Sequence, residues 1–207
     1  MANNNQIYKM SNAGGFKSLN RYYDMLAGNT VWSPWEPQGA YDALATVTLS
    51  TATSSVTFSG IPSTYKHLQI RYLGRSDLSN PLDNLQIQCN SDTGNNYAGH
   101  YLYGNGSAVG AGPTALPNTF LIGGRLSAAT ATANSFGVGV LDILDYANVA
   151  KNKTFRSLSG WDGNGNGEAF MWSGLWMNNS TAINSIKFFP SGSNFAQYSS
   201  FALYGVK

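Results

Sequence analysis

Tryptophan is the residue type in this chain that most directly suggests a binding chemistry. Trp161, Trp172 and Trp176 lie close together in the sequence, among turns that contain asparagine and aspartate. An exposed indole face beside amide and carboxylate groups holds a sugar ring, because the ring stacks on the indole and its hydroxyls find hydrogen-bond partners. Large aromatic side chains also fill cores and subunit interfaces. The sequence therefore favours burial of Trp161, Trp172 and Trp176 in the core or an interface, with a glycan-binding surface as the alternative.

The segment Asp162–Glu168 (DGNGNGE) has the opening spacing of a calcium-binding loop. Such a loop needs a bidentate glutamate at its twelfth position, which here is Ser173. Glycine and asparagine favour tight turns, because both enter left-handed backbone conformations at low cost. We therefore predict a turn between two strands, with a weak calcium site as the alternative.

Paired carboxylates are the next candidates for chemistry. A glycoside hydrolase needs two carboxyl groups about 5–10 Å apart. The chain has only 10 acidic residues; Asp142 and Asp145 end one predicted strand, and Asp83 and Asp92 bracket another. Aspartate near turns usually accepts hydrogen bonds from backbone N–H groups. We expect these four residues to be structural and the protein to be no enzyme.

Histidine, serine and cysteine give no catalytic or metal-binding pattern. His67 and His100 have no second histidine or cysteine at ligand spacing, and no G-x-S-x-G motif is present. The single cysteine, Cys89, excludes a disulfide framework and is typical of a buried apolar position. We predict no catalytic residue, no metal and no cofactor.

The composition narrows the class of protein further. The chain has 207 residues and a net charge of +2, and only 11% of its residues are charged, against about 25% in ordinary domains. Scattered basic residues argue against nucleic acid as a partner, and no apolar run reaches the ~20 residues of a membrane span. The first eight residues lack a secretory signal pattern, which predicts synthesis in a cytoplasm.

Residues 1–42 are predicted to form an arm distinct from the rest. The segment Gly15–Ala27 has apolar residues at helical spacing, followed by Gly28 at a capping position. A helix of about three turns is too short to be stable alone, so we expect it to pack on another surface. The residues predicted to anchor the arm are Phe16, Leu19, Tyr23, Leu26, Trp32 and Trp35.

Residues 43–207 are predicted to form an all-β domain, a jelly-roll-like β-sandwich. Turn residues separate eleven segments of alternating apolar and polar residues. Gly104–Pro117 is predicted to be a long loop of small residues. The predicted strands are Ala45–Leu49, Val56–Ser59, His67–Leu73, Leu85–Asn90, Tyr97–Tyr103, Phe120–Gly123, Phe136–Leu144, Thr154–Trp161, Ala169–Met177, Ile183–Phe189 and Ser200–Val206.

Two of these strands carry apolar residues on both faces. Phe136–Leu144 and Ala169–Met177 are therefore either central strands or strands that face another protein chain. This pattern predicts self-association, with a homotrimer as the expected state.

Several segments together resemble small virion structural proteins of tailed bacteriophages, often described as tail fibres. The most specific are the end of the chain, Tyr198–Lys207 (YSSFALYGVK), and the part from 142 to 153 of Phe136–Gly160. Asn12–Asn29, Ser55–Arg71 and Asp92–Gly104 are also similar. The resemblance implies no catalytic residues.

The resemblance and the residues lead to the same expectation. We expect a non-enzymatic virion protein, assembled in the host cytoplasm, whose arm docks on other virion proteins and whose sandwich is displayed. A tail fibre is favoured, with a capsid decoration protein or a lectin-like host-attachment module as alternatives. The expected partners are further copies of the chain, tail or capsid proteins and, for the lectin-like alternative, a host-surface glycan.

Overall fold

The computed structural model describes residues 40–114 and 118–207. These residues form twelve β-strands and no helix. The predicted helix, with Phe16, Leu19, Tyr23 and Leu26, lies outside the described residues, as do Trp32 and Trp35. The strands are β1 (Tyr41–Thr48), β2 (Val56–Ser59), β3 (His67–Gly74), β4 (Leu82–Cys89), β5 (Tyr97–Gly104), β6 (Val109–Pro113), β7 (Leu121–Ser127), β8 (Gly137–Leu144), β9 (Lys153–Asp162), β10 (Gly167–Trp176), β11 (Ser185–Pro190) and β12 (Ser200–Val206).

Two antiparallel sheets pack as a sandwich. The large sheet has the order β1-β12-β3-β8-β9-β10-β5-β6, and the small sheet has the order β2-β11-β4-β7. When β5, β6, β9 and β10 are set aside, consecutive strands lie in opposite sheets except β4 and β7, which pair with each other in the small sheet. The resulting orders, β1-β12-β3-β8 and β2-β11-β4-β7, are those of a jelly roll. The predicted all-β, jelly-roll-like sandwich is therefore confirmed.

The four remaining strands are two inserted hairpins that widen the large sheet. The β5–β6 hairpin lies between β4 and β7 in the chain, and the β9–β10 hairpin lies between β8 and β11. The hairpins join each other through the pairing of β10 with β5. Strand β7 contacts their inner face: the Arg125 guanidinium lies 4.4 Å from the ring centre of Phe170, and its Nε donates to Glu168 at 3.1 Å.

Strand β6 corrects the prediction of a continuous loop over 104–117. Its pattern is hidden because Gly110 and Gly112 occupy the inward positions. A side chain at Gly110 would overlap the ring of Tyr103, and one at Gly112 would press on Tyr101. The glycines are therefore required by two tyrosine rings on the neighbouring strand β5, which the sequence pattern of β6 alone does not reveal.

The core lies between the two sheets, as alternation along each strand requires. Ile70 and Tyr72 on β3 point inward, and so do Leu85 and Ile87 on β4. Cys89, at the end of β4, is fully buried, and burial raises the pKa of its thiol. The expectation of a buried structural cysteine is confirmed.

Candidate functional site: the outward face of the large sheet

The outward face of the large sheet carries most of the exposed large apolar side chains in the described part of the chain. On β8 and β9, buried and exposed residues alternate, so every second side chain points away from the core. Part of this outward side is apolar, because Val138 and Val140 on β8 and Leu158 on β9 project from it. Polar residues such as Asp142, Arg156 and Asp162 lie to either side of them along the strands. A contiguous exposed apolar patch of this kind is typical of a protein interaction site.

Four apolar residues on neighbouring strands form a continuous line across this face, which we call the apolar row. Val140 on β8 is directly opposite Leu158 on β9, Leu158 is opposite Met171 on β10, and Met171 is opposite Leu102 on β5. Their exposed fractions are 39%, 61%, 50% and 52%, respectively. Burial of such side chains releases about 25 cal/mol for each Å² of apolar surface, so contact at this row is favourable.

A second line of residues runs beside the apolar row and is displaced from it by two residues on each strand, always toward the same edge of the face. It consists of Val138, Gly160, Ala169 and Gly104, which we call the small-residue row. The absence of large side chains at its last three positions leaves a shallow depression of about 730 Å³. The turns that hold Asn105, Asp162 and Asn166 border this depression.

Charges on this part of the face are few and lie at its two sides. Arg156 on β9 flanks the apolar row, and its Nη2 lies 2.8 Å from Oδ2 of Asp142. The Arg156 side chain is nevertheless 70% exposed. Asp162 flanks the small-residue row and is also exposed. The apolar centre is therefore bordered by the Arg156–Asp142 ion pair on one side and by Asp162 on the other.

The outward face of the small sheet is different in character. Lys187 on β11 is opposite Thr57 on β2 and Gln88 on β4. These side chains are polar and partly or fully exposed. Phe189 on β11 and Ile122 on β7 also point outward, but both are only partly exposed and the polar Gln86 lies between them. The exposed apolar row is therefore a feature of the large sheet.

In comparisons with known proteins, no family model, no curated protein and no solved structure matches the chain.

Trp172 and Trp176 are buried, as favoured by the sequence, and do not form the alternative glycan platform. Their exposed fractions are 1% and 0%, because both indoles point into the sandwich. Trp172 stacks on Tyr101 at 5.9 Å and on Phe170 at 5.9 Å. The indole Nε1 of Trp176 donates to Asp92 at 2.7 Å. Neither ring has a face available to a sugar.

Trp161 also points inward, with an exposed fraction of 7%. Trp161 is one of the residues that line the depression. Its Nε1 atom is buried and has no hydrogen-bond partner within the described residues. The structure therefore does not bring the three tryptophans together as an exposed surface. They belong to the interior of the hairpin extension.

The segment 162–167 is the turn between β9 and β10, as predicted. Oδ1 of Asp162 accepts a hydrogen bond from the backbone N–H of Asn164 at 2.8 Å. Asn164 and Gly165 have φ angles of 58° and 114°, in the range that asparagine and glycine tolerate. No group of three or more metal-ligating side chains occurs in ranges 40–114 and 118–207.

The four aspartates considered for acid–base chemistry have structural partners. Asp83 accepts hydrogen bonds from the backbone N–H of Ser191 and the hydroxyl of Ser193, at 3.2 and 2.7 Å. Asp92 binds a turn and Trp176, and Asp142 binds Arg156. Asp145 pairs with Lys151, which lowers the pKa of that carboxyl. Structural use of all four agrees with the sequence-based expectation.

The two histidines lie apart and have different surroundings. Nδ1 of His67 accepts a hydrogen bond from the backbone N–H of Asp145 at 3.0 Å. His100 is exposed on the outward side of β5. None of the described residues belongs to a helix with the length and hydrophobicity that a membrane span needs.

Sequence reasoning missed two members of the apolar row, Leu158 and Leu102. It found the other two indirectly, since Val140 and Met171 lie in strands predicted to be apolar on both faces. Leu158 is a single apolar residue on the outward side of β9, between Arg156 and Gly160, so its strand reads as half polar. The row is visible only when the register between the strands is known.

Proposed function

We propose that the chain is a non-enzymatic structural protein of a bacteriophage virion that assembles through self-association across the outward face of the large sheet. The observation that carries this proposal is the apolar row, which is continuous over four strands and bordered by only a few charges. An apolar surface of this extent is unfavourable in water and stable when another protein covers it. The resemblance of several segments to phage structural proteins supports the same proposal.

The fold agrees with a role in assembly. Jelly rolls are common in viral capsid and lectin domains, although a fold alone does not define a function. The carboxylates discussed above are tied to structural partners, which favours a binding or assembly role over acid–base catalysis. A tail-fibre-like appendage is the favoured position, with residues 1–42 as the docking arm and assembly in the host cytoplasm.

Self-association is tested by measuring the mass of the purified full chain with light scattering over a range of micromolar concentrations. We expect an oligomer, with the homotrimer as the state predicted from the sequence. Leu158→Glu and Met171→Glu should each shift the mass toward that of a single chain, because a buried unpaired carboxylate is strongly unfavourable. Thr57→Glu, on the outward face of the small sheet, is the matched control and should not change the mass.

A wild-type chain that stays monomeric at these concentrations would contradict self-association. An equal loss of association in Thr57→Glu would show that added charge, rather than the face, is responsible.

The virion assignment is tested separately, by quantitative mass spectrometry of purified phage particles. A low copy number per particle supports the tail-fibre position. A high copy number supports the alternative, a capsid decoration protein. Absence of the chain from infectious particles would overturn the assignment.

A further inference from the structure

We infer that the occupant of the outward face is a second copy of this chain, related by a two-fold axis that runs across the strands between the apolar row and the small-residue row. This inference rests on the self-association proposed above and specifies its geometry. It follows from the order of side chains on the face, in three steps.

The first step is the fit of shapes. A two-fold axis lying between the two rows brings the apolar row of each copy over the small-residue row of the other. Leu158 then lies over Gly160 of the second copy, Met171 over Ala169, and Leu102 over Gly104. At the β8 end, Val140 lies over Val138, so only this one of the four contacts joins two side chains of equal size. Three large side chains thus enter the depression that the three small residues leave open. Packed sheets interdigitate their side chains in this manner.

The second step is the match of charges. The same operation places each strand over the same strand of the second copy, with its direction reversed. Two residues that lie at equal distances on opposite sides of the axis therefore face each other. On β9, Arg156 and Asp162 lie at equal distances on opposite sides of the axis, which falls between Leu158 and Gly160. Arg156 of each copy therefore faces Asp162 of the other. The pairing forms two intermolecular ion pairs and opposes no like charges from the face, which favours the correct partner.

The third step is the size of the contact. The five strands from β8 to β6 have four spacings of about 4.8 Å, so the face is roughly 19 Å wide. Strands β9 and β10 have 10 residues each, a length of about 33 Å. These dimensions give about 630 Å² from each partner, or roughly 1,260 Å² in total, which is at the lower end of the range for specific protein–protein contacts.

Another symmetric arrangement is less suitable. An axis that runs along the strands, between β9 and β10, would place Met171 over Leu158 of the second copy. Large side chains would then face large side chains, and the depression would stay empty. Close packing disfavours such a void. The two arrangements differ in the residue that faces Met171, which makes them separable by experiment.

The experiment mixes single variants of the full chain that carry opposite charges. Met171→Lys, Ala169→Asp and Leu158→Asp should each be monomeric alone at concentrations where the wild type associates. An equimolar mixture of Met171→Lys and Ala169→Asp should form mixed pairs, because the ammonium group introduced at position 171 of one chain then faces the carboxylate introduced at position 169 of the other. The mixture of Met171→Lys and Leu158→Asp is the matched control and should remain monomeric. Analytical ultracentrifugation measures both mixtures.

Each outcome has a defined meaning. A wild-type monomer contradicts the proposed self-association itself. A wild-type oligomer in which only the second mixture associates overturns the inferred axis and leaves self-association in place. Association of neither mixture, from variants that circular dichroism shows to be folded, also overturns the axis.

A conservative variant tests the charge match. Asp162→Asn retains the side-chain oxygen that the turn uses and removes the charge that would face Arg156 of the second copy. We expect a severalfold weaker association with an unchanged melting temperature. Unchanged association would overturn the charge pairing. A two-fold contact makes dimers, whereas a closed trimer needs a heterologous contact between different surfaces. The inferred axis therefore predicts a dimer in place of the homotrimer expected from the sequence.

Discussion

At the residue scale, Asp92 illustrates how this chain uses its few charges. Its carboxylate accepts hydrogen bonds from the backbone N–H of Gly94 at 2.8 Å, from the amide of Asn96 at 2.9 Å and from the indole of Trp176 at 2.7 Å. Partial burial disfavours the charged form, but these donors outweigh it, and the pKa of Asp92 lies below its usual range. One carboxylate thus attaches the turn before β5 to a fully buried ring.

We expect Asp92→Asn to lower the free energy of unfolding at neutral pH by about 1.5–3 kcal/mol, the range for hydrogen bonds to charged groups. The pKa of Asp92 is lower in the folded chain than in the unfolded chain. Its stabilising contribution is therefore complete above about pH 4 and is lost as the pH falls through the folded-state pKa. Urea unfolding at neutral pH and at roughly pH 2–3 measures the difference between variant and wild type. This difference should shrink in acid, and a constant difference would contradict the assignment.

At the element scale, the hairpin extension depends on close contact between an aromatic ring and two backbones. Gly99 on β5 is directly opposite Gly174 on β10, and the indole of Trp172 lies against both. A Cβ atom at Gly99 would overlap ring carbons of Trp172, and a Cβ atom at Gly174 would lie 2.9 Å from a methyl group of Leu121. Because Trp172 is fully buried, the ring has little space into which it can move.

We expect Gly99→Ala to destabilise the fold by about 1–3 kcal/mol, as is usual when atoms are added to a well-packed interior. Ala111→Ser, at an exposed position on the outward side of β6, is the control and should stay within about 0.5 kcal/mol of the wild type. Urea unfolding measures both variants. Equal stability of Gly99→Ala and the control would show that the ring is free to shift.

The same glycines explain which elements the sequence could predict. Strands with clear alternation, such as β2 and β12, were predicted with the bounds that the structure has. Strand β6 was missed because its inward positions are glycines, whose role depends on Tyr101 and Tyr103. The burial of Trp172 and Trp176 is not determined by the sequence pattern alone. Alternation shows which residues share one side of a strand, but not which side faces the core. The two rows of the outward face required the register between four strands.

At the scale of the whole molecule, the sandwich and the preceding arm have separate expected roles. The compact unit described here runs from Tyr41 to Lys207. Strand β1 begins at Tyr41 and pairs with β12, and the side chains of Asp42 and Lys207 form an ion pair at 2.9 Å. The two ends of this unit are therefore fixed to each other in the large sheet.

We expect deletion of residues 1–39 to leave a sandwich that unfolds cooperatively, since no strand of the described unit loses its pairing. The truncated chain should no longer enter phage particles, because the deletion removes every residue predicted to anchor the arm. Circular dichroism during urea unfolding measures the first outcome, and mass spectrometry of particles assembled with the truncated chain measures the second. Normal incorporation would contradict an anchoring role for the arm.

Burial of the one native thiol has a practical consequence for such experiments. Cys89 is completely enclosed, and its raised pKa keeps it in the unreactive protonated form. A cysteine introduced at an exposed position, for example Thr57→Cys, would therefore be the sole site that a maleimide dye modifies in the folded protein. The position of each labelled copy on a particle is then accessible to fluorescence or gold tagging without removal of the native residue.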